Sequence, residues 1–157
     1  MPTRILCATV VLSALAHASA WGAAFVVNDL ADAVDAAPGN GACATARSTC
    51  TLRAAVQETN ALAGAEQITL AAGVHELSIP GAHEDAAATG DLDITDDLTI
   101  AGANAYLSVI DANGIDRVID QLAPAAPLDL SLRDLTISGG DTDDNGGGVR
   151  YNSTLDA

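Results

Sequence analysis

Leu92-Asp93-Ile94-Thr95-Asp96-Asp97-Leu98-Thr99-Ile100 alternates apolar and polar residues through two short runs joined by an acidic corner. Leu130-Ser131-Leu132-Arg133-Asp134-Leu135-Thr136-Ile137 repeats that design with another tight bend. A period of two puts every second side chain on one face of an extended chain, so each run is a strand with one buried face. Ile68-Thr69-Leu70, Leu77-Ser78-Ile79 and Val109-Ile110-Asp111 belong to the same set, with turn residues such as Pro80-Gly81, Ala101-Gly102, Asn113-Gly114 and Gly139-Gly140 between them. Leu77, Leu98, Val118, Leu135 and Leu155 fall into one register with an interval near 20 residues. A fixed interval built on aliphatic residues is the mark of stacked coils. The expected fold class is therefore all-β: a right-handed, single-stranded parallel β-helix (solenoid), its hand set by the preference of parallel crossovers. The chain ends at Thr154-Leu155-Asp156-Ala157, where a further strand should begin, so the solenoid is expected to be incomplete at the C-terminus.

Upstream of the strands lies one helix. Leu52, Ala55, Val56, Thr59 and Leu62 share a face, Thr51 or Thr49 can cap its start, and Gly64 falls where a left-handed stop would end it. Arg53, Gln57 and Glu58 lie off that apolar stripe. The helix is expected to cap the open end of the strand stack, where unpaired backbone edges need covering. Residues 29–49 are rich in Asp, Ala and Gly and carry no periodicity, so they form a loop. Cys43 and Cys50 close its end. In an exported chain with no other thiol the natural reading is a disulfide, contributing roughly 2–3 kcal/mol by the loop-entropy argument.

Export is expected from the first 20 residues. Arg4, the apolar run from Ile5 to Leu15, and Ala18-Ser19-Ala20 before Trp21 follow the order of a secretory signal peptide. Three segments follow: residues 1–20 as signal, 21–66 as an N-terminal cap of strand, disulfide loop and helix, and 67–157 as truncated coils. No segment beyond the signal is long and apolar enough to insert into a membrane.

Losing Arg4 from the 6 basic residues leaves 5 arginines against 21 acids, a net charge of −16, with no lysine. Such a surface repels nucleic acid and anionic membranes and suits solubility outside the cell. Four aromatic residues leave no stacking platform for bases or sugars. His75 and His83 are isolated, too far from the cysteines for a zinc site and without a partner nucleophile.

Two acidic clusters are candidates for chemistry. In Asp141-Thr142-Asp143-Asp144-Asn145-Gly146, the side chains of Asp141, Asp143, Asp144 and Asn145 alternate as calcium prefers, although the EF-hand glutamate is absent. A solvated turn is the competing reading. The second cluster is Asp111, Asp116, Arg117 and Asp120, which outward positions on adjacent strands would bring together; a surface ion pair is the alternative there. No catalytic residue and no cofactor is assigned, calcium being the one ion under consideration.

Cys50-Thr51-Leu52-Arg53-Ala54-Ala55-Val56 followed by Glu58-Thr59-Asn60-Ala61 resembles the Cys-Ser-Leu-Arg-Glu-Ala-Ile…Ala-Asn-Ala motif of CSLREA domains. The likeness runs upstream through Phe25-Val26-Val27-Asn28 and Cys43, and downstream through Gly90-Asp91-Leu92-Asp93-Ile94 to Leu135-Thr136-Ile137-Ser138-Gly139-Gly140. It departs from the motif at Thr51, Ala54 and Thr59. Gly147-Gly148-Val149 with Tyr151-Asn152 is similar to the repeats of polymorphic outer-membrane proteins. The resemblance implies an exported bacterial protein of the pectate-lyase-like β-helix type, displayed at or beyond the cell surface, without transferable catalytic residues. The function it suggests is a non-catalytic structural or adhesive stalk with an acidic outer face, meeting an extracellular partner or a surface glycan. The alternatives are a carbohydrate-active enzyme that cleaves polyuronates, and a truncated fragment without function. A groove lined by three or more acids would favour the enzyme. Mass spectrometry of the exported chain should place its first residue at Trp21; retention of residues 1–20 would remove the basis for export.

Overall fold

The computed structural model describes residues 22–122, 128–143 and 145–151. Ten strands and one helix succeed one another as β1 (Ala24–Val26), α1 (Leu52–Ala61), β2 (Glu66–Thr69), β3 (Gly73–Glu76), β4 (Leu92–Ile94), β5 (Leu98–Ala101), β6 (Ser108–Asp111), β7 (Ile119–Gln121), β8 (Leu130–Arg133), β9 (Thr136–Ser138) and β10 (Val149–Tyr151). They form three parallel sheets, ordered β1-β2-β5-β8, β3-β6-β9 and β10-β7-β4.

The alternation does what it implies within each strand. In the first sheet Phe25, Ile68 and Ile100 stand in register and are buried, with Leu132 continuing the row. His75, Ile110 and Ile137 form a row in the second sheet, and Leu92 and Ile119 in the third. These side chains share one hydrophobic core with Val27, Leu52, Ala55 and Val56, so the helix and the three sheets bury a common apolar centre.

The single right-handed β-helix solenoid with coils near 20 residues is not what the structure holds. Hydrogen bonding divides the strands into three separate short parallel sheets of three or four strands, accompanied by a helix. The five residues that define the expected register do not share one. Leu98 pairs with Leu130 in the first sheet, Leu135 precedes the strand that pairs with β6, and Val118 precedes β7. Leu155 lies outside the described residues. Partners among β2, β5 and β8 are 32 residues apart, as Ile68, Ile100 and Leu132 show. The physical reason is that a Leu-x-Ile triplet reports only that alternate side chains are buried. Every strand with one face on the core produces it, whichever strand is its neighbour.

The cap region follows its sequence more closely. Thr51 caps α1, its hydroxyl accepting from the Ala54 amide, while Thr49 instead binds Asp29 and Thr45. The helix ends at Leu62 in an extended conformation, before Gly64. Cys43 and Cys50 are joined in a disulfide, with Cα atoms 5.2 Å apart. No described helix is long and apolar enough to cross a membrane.

The polar side of α1 is covered as well. Arg53 and Glu58 have no exposed surface at all. Arg53 binds both carboxylate oxygens of Asp32, at 2.6 and 3.1 Å, and donates to the carbonyls of Ala87, Gly90 and Asp91. Asp32 Oδ2 also accepts from the amides of Ser78 and Ile79. Glu58 accepts the amides of Gly39 and Gly41, tying down the long loop. A buried ion pair contributes stability only when its remaining hydrogen-bonding capacity is filled, and here it is. Arg53→Met should therefore lower the unfolding free energy by about 3–5 kcal/mol in urea titrations, because it leaves the buried Asp32 charge uncompensated and takes the guanidinium from the carbonyls of Gly90 and Asp91. Arg53→Lys should lie between, since it keeps the charge but loses the two-pronged geometry. A loss below about 1 kcal/mol for Arg53→Met would show that the network is not structural.

Candidate acidic site

Strand β4 turns Leu92 and Ile94 into the core and therefore presents Asp93 on its other face. A strand-face aspartate is ordinarily solvated, yet Asp93 has no exposed surface. The segment over it is organised by Glu84, whose carboxylate accepts the amides of Ala86, Ala88 and Thr89. That turn directs the Ala87 amide onto Asp93 Oδ2 at 2.8 Å. Asn60 of α1 donates to the Asp93 carbonyl. At the end of the covering segment, Gly90 adopts a φ of +60°, and a Cβ there would stand 2.5 Å from the Gly81 carbonyl oxygen, so only glycine fits.

Pairing in the third sheet then determines the cluster. Asp93 of β4 stands opposite Asp120 of β7, and Asp120 opposite Arg150 of β10. Like charges directly opposite on neighbouring strands repel. Arginines offset part of this repulsion: Arg150 pairs with both Asp120 oxygens, one contact being 2.8 Å, and Arg117 Nε lies 3.1 Å from Asp91 Oδ2. Arg117 Nε is also 3.9 Å from Asp116 and from Asp120. One carboxylate oxygen from each of Asp91, Asp93 and Asp120 falls within 4.8 Å of the others. Burial pushes the Asp91 carboxyl up to about pKa 6, with Asp116 and Asp120 adding to the shift and Arg117 opposing it. Burial pushes Asp93 up to about 7, against the Ala87 amide and with help from Asp91, Glu84 and Asp120.

Beside the triad opens a cavity of about 380 Å³, lined by Glu84, Asp91, Asp116, Asp120, Asp141 and Asp143 together with Arg117 and Arg150. The two clusters singled out in the sequence meet here. Asp116, Arg117 and Asp120 form one wall; Asp111 does not join them, because β6 belongs to another sheet, and its carboxylate accepts the Asn113 amide. Asp141 and Asp143 line the cavity, the Asp141 amide binding the Asp116 carbonyl, and the Asn145 carbonyl accepts from Arg117. Asp144 lies outside the described residues. Asn145 is thus engaged through its backbone with an arginine. Sequence reasoning passed over Asp91, Asp93, Glu84 and Arg150 as site residues. The available signal was the pairing of aspartate with aliphatic neighbours in Asp91-Leu92-Asp93-Ile94 and Arg117-Val118-Ile119-Asp120.

No protein-family model, no curated protein and no solved structure matches the chain.

The raised carboxyls make stability depend on pH in a definite direction. Folded Asp91 and Asp93 retain protons that the unfolded chain has released between about pH 4 and pH 7. Their contribution is present at the acid end of that window and is lost as pH rises through their folded pKa values. In chelator-containing buffer the melting temperature should rise as pH falls from about 8 to 5. Asp93→Asn should melt higher than the parent at the alkaline end and show a shallower slope. An unchanged slope would remove Asp93 as the source.

Proposed function

We propose that the chain is an exported, non-catalytic structural or adhesive module that presents an acidic face to an extracellular partner or surface glycan. The observation that carries this reading is the burial of the strongest acid cluster. Asp91, Asp93 and Asp120 are 5 %, 0 % and 3 % exposed, and arginines pair with two of them. A general acid or base must come within hydrogen-bonding distance of its substrate, and Asp93, at the centre of the cluster, has no exposed surface from which to do so. Export and the likeness to CSLREA domains enter as part of this proposal, supported by the leader-like first 20 residues and by the Cys43–Cys50 disulfide, which suits an oxidising compartment. The excess of acid over base disfavours nucleic acid as partner.

A polyuronate-cleaving enzyme is the second reading, and the cavity is the specific observation in its favour. It is within the size range of small-ligand sites and lined by several acids, with Arg117 and Arg150 available to meet a uronate carboxylate. Incubating the purified chain with polygalacturonate and calcium separates the two. The structural reading expects no unsaturated or reducing ends above background. Product release by the parent chain that disappears in Asp116→Asn would establish the enzyme instead.

A further inference from the structure

We propose that Asp91, Asp93 and Asp120 hold a divalent cation of the calcium class. Three grouped carboxylates are not by themselves a site, and a second feature points to a ligand. Asp93 is wholly buried; its Oδ2 takes the Ala87 amide, and its Oδ1 has no hydrogen-bond partner. A buried carboxylate oxygen without a partner is costly, and a positive ion is what such an oxygen lacks.

The geometry suits that ion. Two oxygens each about 2.4 Å from calcium are at most about 4.8 Å apart. The nearest oxygens of the three aspartates meet that limit. The donors are all carboxylate oxygens, a set that selects hard cations over zinc or copper. Charge agrees as well. The site and the cavity beside it carry more carboxylates than Arg117 and Arg150 offset, and a divalent ion reduces that surplus. Calcium takes six to eight oxygens. Asp91 and Asp120 also line the open cavity, so water has access to complete the shell from that side. This site differs from the loop 141–145, whose Asn145 carbonyl is bound to Arg117. It also stands apart from the proposed function: an ion here would brace β4 against β7 in a stalk and in an enzyme alike.

The test uses the purified mature chain, stripped with EGTA at neutral pH and titrated with CaCl2 in calorimetry and thermal melts, with MgCl2 in parallel. The expected result is saturable uptake of one calcium per chain with a rise of several degrees in melting temperature. Asp93→Asn and Asp120→Asn should each weaken uptake by about tenfold or more, while the remote, exposed Glu76→Gln leaves it unchanged. Both Asn variants relieve like-charge repulsion, and circular dichroism of the calcium-free proteins checks that each folds. Should Asp93→Asn fail to fold, Asp120→Asn carries the test. Absence of a saturable response to either ion overturns the site. So does a response that survives both Asn substitutions, or one abolished by Asp141→Ala with Asp143→Ala while both Asn variants keep it, which would move the ion to the loop.

Discussion

The buried Arg53–Asp32 pair is the constraint around which the rest of the molecule is arranged. Asp32 comes from the long loop, Arg53 from α1, and their remaining hydrogen-bonding capacity goes to backbone at residues 78–79 and 87–91. One ion pair thus joins four segments of the chain. Without it the loop 29–49 would be held against the helix by the Glu58 contacts, the Asp35 amide on Gln57, the Thr51 hydroxyl on the Ala33 carbonyl, and the disulfide. The segment leading to Gly90 would also lose the donor that anchors its carbonyls. Because Ala87 covers Asp93, the state of the acid cluster depends on this interaction as well.

Charge is distributed unevenly, and that decides which acids matter. Among the described residues, several acids cap turns, as Asp29, Asp35 and Asp111 do by accepting amides two residues ahead. A few are forced together where the third sheet places β4 beside β7. The register opposes Asp93 to Asp120, and Arg117 and Arg150 offset only part of the repulsion. Such a concentration of like charge under cover persists only because the hydrophobic rows of Leu92 and Ile119 hold the two strands in that alignment from the opposite face.

Most strand positions, the helix and the disulfide were legible in the sequence because each depends on local pattern; the exception is Leu77-Ser78-Ile79, which is not a strand, β3 lying just before it at Gly73–Glu76. Alternation marks strands, an apolar stripe with a threonine before it marks α1, and two cysteines eight residues or fewer apart with no other thiol between them and the C-terminus mark a crosslink. The pairing of strands was not legible. The triplets Leu98-Thr99-Ile100 and Leu135-Thr136-Ile137 look like neighbours in one ladder, yet they belong to different sheets. Their likeness reflects a shared burial pattern. The burial of Arg53 and Glu58 was not legible for a related reason: a helical wheel reports which side is apolar, and says nothing of loops that fold back over the polar side.

For the acidic site, the sequence by itself determined that Asp116, Arg117, Asp120, Asp141 and Asp143 are present, and that aspartates alternate with aliphatic residues around them. Only the tertiary structure decided that Asp91 and Asp93 join them, that Asp111 does not, and that Asp93 is covered while Asp91 and Asp120 border a cavity. The physical reason is that a carboxylate's environment is set by non-local pairing and cover. Residues 27 positions apart meet only through the β4–β7 register, and a charge is desolvated only when another segment lies across it.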